Sequence, residues 1–351
     1  DLHGVDWDAY GETYRRFLPH INNNYDFAEM LSEMLGELNA SHTGCYFRPT
    51  RPNTDQTASL GLIYDDGFTD DGLKIEEVIV GGPLDRAGVR LEAGHVIEKI
   101  DGQAVTNTTD YAELLNRKTG QRVLLSVFDP DSDDRWDEEV KPIGGRQEYQ
   151  LLYKRWVRNR REEVARLSDG KIGYVHVRSM NDQSMRVVFE EALGRNLGTE
   201  ALIVDTRFNG GGNIHEQLSD FLNGVAYFDV VPHGQYIGSE SYDKWTKPSI
   251  VLMGESNYSD AHLFPLAYKI KGAGKTQGMP VPGTGTFVRW ERQIDPTLRF
   301  GIPMGGWRDA DGHFAENTQM EPDIPVRNEP GVLTAGRDQQ IEAAVKELLK
   351  K

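Results

Sequence analysis

The sequence predicts a multidomain α/β protein. The observations behind this are a helical N-terminal segment, a middle segment of short strands, and a final segment in which strands and helices alternate. The length of 351 residues suits two or three domains better than one. The predicted boundaries are residues 1–50, 57–143 and 144–351, with a Pro/Thr/Asp-rich linker between the first two.

The N-terminal segment is predicted to be helical from its hydrophobic spacing. In residues 7–38, apolar residues recur at i, i+3, i+4 and i+7, which gives a helix one apolar face. Asn22–Asn24 form a break before this face, and Asp26 is the expected N-cap. The one cysteine of the chain, Cys45, excludes an internal disulfide framework, and we expect it to be a small packed residue.

The middle segment is predicted to be rich in β-strands. The stretches SLGLIYDDG, LKIEEVIVGGP, HVIEKIDGQAV and RVLLSVFDP are apolar or alternating and are separated by Gly, Pro and Asp. The acidic stretch DPDSDDRWDEE that follows is expected to be a loop. The stretch GGPLDRAGVRLEAGHVIEKIDGQAV resembles the central signature of a PDZ domain.

The PDZ resemblance implies a peptide site at residues Leu60, Gly61 and Leu62. In such domains this loop binds the terminal carboxylate of a peptide through backbone amides, and the peptide adds a strand to an open sheet edge. The alternative is a PDZ-like spacer that binds no peptide.

The third segment has the pattern of a buried α/β sheet. The stretches GKIGYVHV, TEALIVD and SIVLM are nearly continuous apolar runs, which are typical of parallel strands covered on both faces. The stretches MRVVFEEALGRNL and AGRDQQIEAAVKELLK are predicted helices. Pro265 predicts a kinked or short helix after Ser259.

Composition excludes several kinds of partner and cofactor. The net charge of −16 repels the phosphates of nucleic acids and anionic lipids, so neither is expected as a main partner. No apolar stretch reaches the roughly 18 residues of a membrane span, and no Cys/His cluster predicts zinc. We expect no metal or organic cofactor. The chain begins without Met, so we expect a fragment or a processed product.

Ser259 lies between an apolar run and a predicted helix in VLMGESNYSDAHLF. A serine at this position is either a helix cap or a nucleophile exposed above the positive end of the helix dipole. The sequence contains no GxSxG motif around Ser259, so the local pattern leaves both interpretations open.

Glycine and histidine residues offer further candidates. Arg207–Asn213, with three consecutive glycines after a buried strand, is either a tight turn or a nest of N–H groups for an anion or a developing oxyanion. His42 in NASHTG is either structural or a general base. The sequence around His215 is not HExxH, which excludes a zincin, and His262 is expected to point away from Ser259.

Four separated stretches, GELNASHT, VDTRFNGGG, NYSDA and AENTQMEPDI, resemble in order and spacing the tricorn-type proteases, relatives of the C-terminal processing peptidases. The resemblance covers nearly the whole chain. It implies a helical domain that carries the catalytic His, a PDZ domain, and a crotonase/ClpP-like α/β protease core.

The resemblance also implies roles for individual residues. Ser259 matches the nucleophile and His42 the general base. Glu316 matches the acid of the charge network and Ser41 the serine that links it to the histidine. The amides of Gly212 and Asp260 match the oxyanion hole, with Gly211 beside the substrate.

Specificity and partners are implied by the same resemblance. Asp229 matches an acidic residue of the P1 pocket, which would favour basic P1 residues. The related processing peptidases use a lysine base, but Lys275 lacks the expected spacing, so His42 is preferred. The implied partners are peptide substrates, upstream β-propeller domains of the same chain and further copies in a homo-oligomer. The implied location is the cytoplasm, or the periplasm or cell envelope if a signal peptide has been removed.

The predicted function is therefore that of a serine endopeptidase or oligopeptidase that acts through an acyl-enzyme. The alternatives are a non-catalytic peptide-binding module, and an α/β fold that holds a small apolar ligand.

Overall fold

The computed structural model describes residues 4–350, which form two compact units. Unit 1 takes in the chain up to Thr50 and from Arg160 onward, and unit 2 is Arg51–Asn159. The first three residues of the predicted 1–50 segment lie outside the described part. No helix within residues 4–350 is long and apolar enough to cross a membrane.

The helices and strands of the described chain are as follows. The α-helices are Trp7–Arg15 (α1), Asn24–Gly36 (α2), Tyr111–Leu114 (α3), Gly145–Leu167 (α4), Asp182–Glu190 (α5), His215–Leu222 (α6), Asp260–Ile270 (α7) and Gln339–Leu348 (α8). The strands are Gly44–Phe47 (β1), Leu62–Tyr64 (β2), Leu73–Val78 (β3), Val96–Ile100 (β4), Gln103–Ala104 (β5), Val123–Asp129 (β6), Asp134–Val140 (β7), Ile172–His176 (β8), Ala201–Asp205 (β9), Phe228–Val230 (β10), Gly238–Glu240 (β11), Ser249–Met253 (β12), Lys275–Gly278 (β13), Thr286–Arg292 (β14), Leu298–Gly306 (β15) and Ile324–Pro325 (β16).

Unit 1 is built around a five-stranded parallel sheet of order β16-β13-β12-β9-β8. Every residue of β8, β9 and β12 is buried, because helices cover both faces of a parallel sheet. Val204 of β9 and Val251 of β12 pack in one core with Phe264 and Tyr268 of α7. The apolar runs that predicted a buried α/β sheet correspond to these strands.

The N-terminal helices belong to unit 1 together with the residues from Arg160 onward, and the chain passes into unit 2 after Thr50. Strand β1 pairs with β15 in a three-stranded antiparallel sheet of order β1-β15-β14. Ala28 of α2, Cys45 of β1 and Leu298 of β15 share a small core. The apolar face of α2 thus packs on a strand that is more than 250 residues away in sequence, and the described N-terminal segment has no core of its own. Cys45 is buried there, as predicted.

Asn23, and not Asp26, is the N-cap of α2. The Asn23 side chain accepts hydrogen bonds from the amides of Tyr25 and Asp26. Asp26 instead lies in the first turn, where a carboxylate favours the positive end of the helix dipole. Both residues are good helix-start residues, so spacing alone could not separate them.

Unit 2 contains a sheet of order β2-β3-β4-β6-β7, with β5 paired to β4. Its core includes Leu60, Ile97 and Leu125. The unit extends beyond residue 143 because the first half of α4 packs on it, where Arg155 forms a bidentate ion pair with Glu77. The acidic stretch that was expected to be a loop contains strand β7, which pairs with β6 along its whole length.

Pro265 does not shorten α7, which runs for 11 residues. A proline cannot donate the hydrogen bond that would reach Ala261, four residues earlier. The side-chain amide of Asn257 donates to the Ala261 carbonyl at 3.2 Å instead. The helix is therefore not short, and the prediction of a kink at Pro265 stays a prediction.

A buried ion cluster anchors the end of β9. Arg207, 5% exposed, contacts the carboxylates of Asp205 at 2.9 Å and of Asp338 at 3.0 Å. Burial alone would raise the pKa of Asp205, but the Arg207 guanidinium outweighs burial and lowers it. The cluster joins β9 to the residue that caps α8, Asp338.

We expect Arg207→Ala to lower the free energy of unfolding by about 3–5 kcal/mol, because it leaves the buried Asp205 carboxylate without its cation and leaves Asp338 only the more distant Arg160. Urea unfolding measures this change. The control is Arg289→Ala, which removes a largely exposed cation that pairs with Glu291 and should cost at most about 1 kcal/mol. Equal losses in the two variants would contradict the assigned role of the cluster.

Candidate active site

Ser259 lies at the turn between β12 and α7, with φ of 59° and ψ of −126°. A positive φ is uncommon for a residue other than glycine and indicates a turn that its surroundings hold in place. The Ser259 amide donates to Thr284 Oγ1 at 2.8 Å, and the side chain makes no capping hydrogen bond to α7. Of the two interpretations left open by the sequence, the helix cap does not describe this side chain.

The glycine cluster approaches Ser259 closely. Gly211 has φ of 100°, and a Cβ there would lie 2.6 Å from the Ser259 Cβ and 3.0 Å from the Asp260 nitrogen. At Gly212 a Cβ would lie 1.8 Å from the Met180 carbonyl oxygen. A side chain at Gly211 would push the glycine cluster away from the Ser259 turn, and one at Gly212 would push it away from Met180. The cluster is therefore more than a tight turn.

The carboxylate of Asp260 ties the glycine cluster to the Ser259 turn. It accepts hydrogen bonds from the amides of Ile214 at 2.6 Å and His215 at 3.0 Å, and it contacts His215 Nδ1 at 2.5 Å. Within residues 4–350, the amides of Gly212 and Asp260 themselves donate to no acceptor. Both N–H groups therefore remain available as hydrogen-bond donors.

His42 lies between α2 and β1 and faces the residue before Ser259. Its amide donates to the Tyr258 hydroxyl at 2.7 Å, and the two rings have centroids 4.8 Å apart. Burial disfavours the imidazolium and lowers the pKa of His42, while the charge of Glu316 raises it by less. His42 is thereby held neutral near pH 7.

Proton counting fixes the tautomer of His42. The hydroxyl of Ser41 donates its one proton to Glu316 Oε2 at 2.9 Å, since an ionised carboxylate only accepts. Ser41 Oγ is also 2.8 Å from His42 Nδ1 and so must accept there. The proton of His42 is consequently on Nδ1, and the Nε2 lone pair is free to take a proton.

Glu316 is buried, at 6% exposed, and it accepts from both the amide and the hydroxyl of Ser41. Thr286 Oγ1 completes the arrangement, 2.7 Å from Ser41 Oγ and 3.1 Å from His42 Nδ1. A Cβ at Gly285 would lie 2.8 Å from the Glu316 nitrogen. Glycine at this position therefore lets the backbone at Glu316 pack directly against the residue before β14.

Three residues of the site were not predicted: Tyr258, Thr284 and Thr286. Their contacts with residues 41, 42 and 259 join segments that are 25 to 245 positions apart. The alternation Gly283-Thr284-Gly285-Thr286 offered a signal, because it places both threonines on one side of an extended chain.

His262 supports the Ser259 turn through Thr284. It is 1% exposed, and its Nδ1 accepts from the amide of Thr284, whose hydroxyl accepts from Ser259. Burial lowers the pKa of His262 to about 4, so it remains a neutral acceptor.

Asp229 and Lys275 are not joined to these residues. Asp229 lies in the exposed two-stranded ribbon of β10 and β11, where its carboxylate accepts from Ser239 Oγ at 2.8 Å. Lys275 pairs with Glu347 at 2.6 Å. In the described chain, no hydrogen bond or ion pair connects either residue to Ser259 or His42.

The buried His262 should make stability depend on pH. Its folded pKa of about 4 lies below the ordinary value near 6.5, so between these values the unfolded chain binds a proton that the folded chain does not. The contribution of His262 to the free energy of unfolding is then fully present above pH 6.5, and up to about 3 kcal/mol of it is lost as the pH drops to 4.

Urea unfolding at several pH values tests this contribution. We expect His262→Asn to reduce the loss of stability between pH 6.5 and 4, whereas His233→Asn at an exposed position should leave it unchanged. The assignment fails if wild type and the His262 variant lose stability in parallel.

Parts of the chain match known sequence families. Residues 171–326 match peptidase family S41, residues 1–36 match the tricorn protease C1 domain, and residues 74–127 match the PDZ domain. The S41 match contains Ser259, the glycine cluster and Glu316, whereas His42 lies just beyond the C1 match.

Curated relatives extend the similarity to nearly the whole chain. Tricorn protease homolog 1 of Streptomyces coelicolor is 30% identical, over 98% of this chain and 33% of its own length. The tricorn protease homolog of Saccharolobus solfataricus is 28% identical, over 98% and 32%. The tricorn protease of Thermoplasma acidophilum is 25% identical, over 97% and 32%. The chain thus spans about a third of the length of these relatives.

The fold agrees with that of a solved structure. A crystal structure of the tricorn protease aligns with a TM-score of 0.86 at 23% sequence identity, and covers 97% of this chain and 34% of its own. Taken with the family matches, the chain is similar to tricorn proteases over nearly its whole length, and it contains segments that match the tricorn C1 domain, the PDZ domain and peptidase family S41.

Proposed function

We propose that the chain is a serine peptidase in which Ser259 attacks the peptide carbonyl and His42 acts as general base. The observation that carries the proposal is the relay Glu316–Ser41–His42, which leaves Nε2 as the proton acceptor of a histidine that packs on Tyr258, the residue before Ser259. Similarity to tricorn proteases and to peptidase family S41 supports the same reaction.

In the proposed mechanism, Ser259 Oγ forms a bond to the carbonyl carbon while its proton passes to His42 Nε2. The carbonyl oxygen becomes an oxyanion that accepts from the amides of Gly212 and Asp260. His42 then gives its proton to the leaving amine as the C–N bond breaks. Water attacks the acyl-enzyme by the same route and releases the acid product.

The relay would stabilise the imidazolium that forms during the reaction. The proton on Nδ1 is donated to Ser41 Oγ, and Ser41 in turn donates to the buried Glu316 carboxylate. A positive charge on His42 is therefore opposed by a negative charge one hydroxyl away. The carboxylate need not take up a proton for this effect.

The finer parts of the function rest on the resemblance. These are the choice between endopeptidase and oligopeptidase, peptide substrates with a basic P1 residue next to Asp229, upstream β-propeller domains, a homo-oligomer and a cytoplasmic location. The P1 assignment has the least support, because Asp229 lies in an exposed ribbon. A non-catalytic binding module is not favoured, since such a module has no need of a neutral histidine with a free Nε2.

We expect a fluorophosphonate to label Ser259, as located by mass spectrometry after digestion, and Ser259→Ala to abolish the adduct. Both Ser259→Ala and His42→Ala should lower kcat/KM for a fluorogenic peptide by roughly 10³-fold or more. The matched control is His20→Ala, an exposed histidine of the same unit, which should keep full activity.

Labelling of Ser259 that persists unchanged in His42→Ala would keep the nucleophile and overturn the assignment of the base. Absence of both labelling and hydrolysis in the folded chain would overturn the proposed reaction.

The pH profile separates the relay from a merely structural role for Glu316. Neutral His42 is the active form, so kcat/KM rises as pH increases through its pKa, which burial holds below 6.5. The charge of Glu316 raises this pKa, so Glu316→Gln should move the acidic limb to lower pH while it reduces the maximal rate by about tenfold or more.

The control for this measurement is Glu329→Gln at an exposed position, which should leave the limb in place. A rate loss without any shift of the limb, or a shift to higher pH, would contradict the proposed coupling of Glu316 to His42.

A further inference from the structure

Unit 2 contains a cleft between β2 and α3 with a volume of about 180 Å³. Leu60, Leu62 and Tyr64 line one side. Tyr111 of α3 lines the other side, and Glu148 of α4 contributes a carboxylate. All of these groups belong to unit 2.

The cleft runs beside an open sheet edge. Strand β2 is the terminal strand of its sheet and pairs only with β3 among the described strands. Its other edge presents backbone N–H and C=O groups, to which an extended peptide can add as a further strand. Alternate side chains of such a peptide would enter the cleft.

Ser59, which precedes the loop predicted to bind the terminal carboxylate of a peptide, already contacts a carboxylate of the protein itself. Ser59 Oγ donates to Glu148 Oε1 at 2.5 Å, and the amide of Gly61 donates to Ser59 Oγ at 3.0 Å. One of the amides expected to bind a peptide end is therefore taken by Ser59. The carboxylate of a peptide terminus would also meet the like charge of Glu148.

Glu148 retains unused acceptor capacity. Among the described residues no Lys, Arg or His forms an ion pair with it, and its one side-chain hydrogen bond is the one that Oε1 accepts from Ser59. Burial raises the pKa of Tyr111, and the carboxylates of Glu148, Asp110 and Asp66 raise it further. The surroundings of the cleft are thus negative.

Two aromatic rings complete the cleft. Tyr64 and Tyr111 have ring centroids 5.3 Å apart in an edge-to-face arrangement. Aromatic faces attract ammonium and guanidinium groups, and their apolar parts accommodate the methylene stem of a lysine or arginine. The negative charge, the aromatic rings and the open sheet edge therefore all favour an extended peptide that carries a lysine or arginine side chain.

We propose that this cleft binds an internal, extended peptide segment with a lysine or arginine side chain directed at Glu148, and that it discriminates against a chain-terminal carboxylate. The basic side chain contacts Glu148 Oε2, and the backbone pairs with the free edge of β2. The proposal concerns binding and does not rest on hydrolysis at Ser259.

Binding is measured by fluorescence anisotropy with the full chain carrying Ser259→Ala, so that no peptide is consumed. The first probe is a short peptide of alternating leucine and lysine with both ends blocked. The second replaces lysine by glutamine, and the third is the glutamine peptide with a free terminal carboxylate. We expect the lysine peptide to bind roughly five- to tenfold more tightly than either glutamine peptide.

The variants locate the preference. Glu148→Gln should weaken binding of the lysine peptide by a similar factor and bring it close to the glutamine peptide. Ser59→Ala keeps the charge of Glu148 and should keep the preference for lysine. The matched control is Glu92→Gln, an exposed glutamate of the same unit outside the cleft, which should change nothing.

Tighter binding of the free-carboxylate peptide than of its blocked form would overturn the proposal and restore a conventional terminal-carboxylate site. Failure of all three peptides to bind would overturn it in favour of a spacer. A preference for lysine that survives Glu148→Gln, in a variant with unchanged circular dichroism, would also reject the assigned contact.

Discussion

The geometry of the candidate active site depends on the buried carboxylate of Asp260. This group lies at the N-terminus of α7, yet it accepts from the amides of Ile214 and His215 at the start of α6. One anion therefore serves two helix N-termini, where both dipoles stabilise it. It ties the residues that follow the glycine cluster to the Ser259 turn, and its loss would leave two N–H groups without their acceptor.

The positive φ values near Asp260 are supported by the anchored end of β9, which precedes the glycine cluster. Ser259 and Gly211 both have positive φ, and such conformations persist only when their surroundings hold them in place. Arg207 supplies this support, since its guanidinium joins Asp205 at the end of β9 to Asp338 at the start of α8. The glycine cluster begins immediately after that ion cluster. Glycines have more backbone freedom than other residues, and the anchored end of β9 restricts the glycine cluster to one arrangement.

The sequence could predict those features that depend on neighbours along the chain. The apolar runs of β9 and β12 located the parallel sheet, and the glycine cluster was visible as such. The orientation of Ser259 was not predictable locally, because it depends on Thr284 of a distant segment. Strand β7 was missed because its exposed acidic residues obscured the alternation that ends at the buried Val140. The length of α7 was not predictable from Pro265 alone, because the Ala261 carbonyl that this proline leaves without its donor accepts from the side-chain amide of Asn257.

Two serine–glutamate pairs in this chain show how burial decides what a carboxylate does. Glu316 is almost fully buried and accepts from the amide and the hydroxyl of Ser41, so its charge acts on His42 through that hydroxyl. Glu148 contacts Ser59 with one oxygen only and is half-exposed at the cleft, so its other oxygen can meet a ligand. The same residue types therefore favour an internal charge relay in one unit and recognition of an external cation in the other. Because the first pair is enclosed, salt should screen its effect on His42 weakly, whereas binding of a basic peptide at Glu148 should weaken as ionic strength increases.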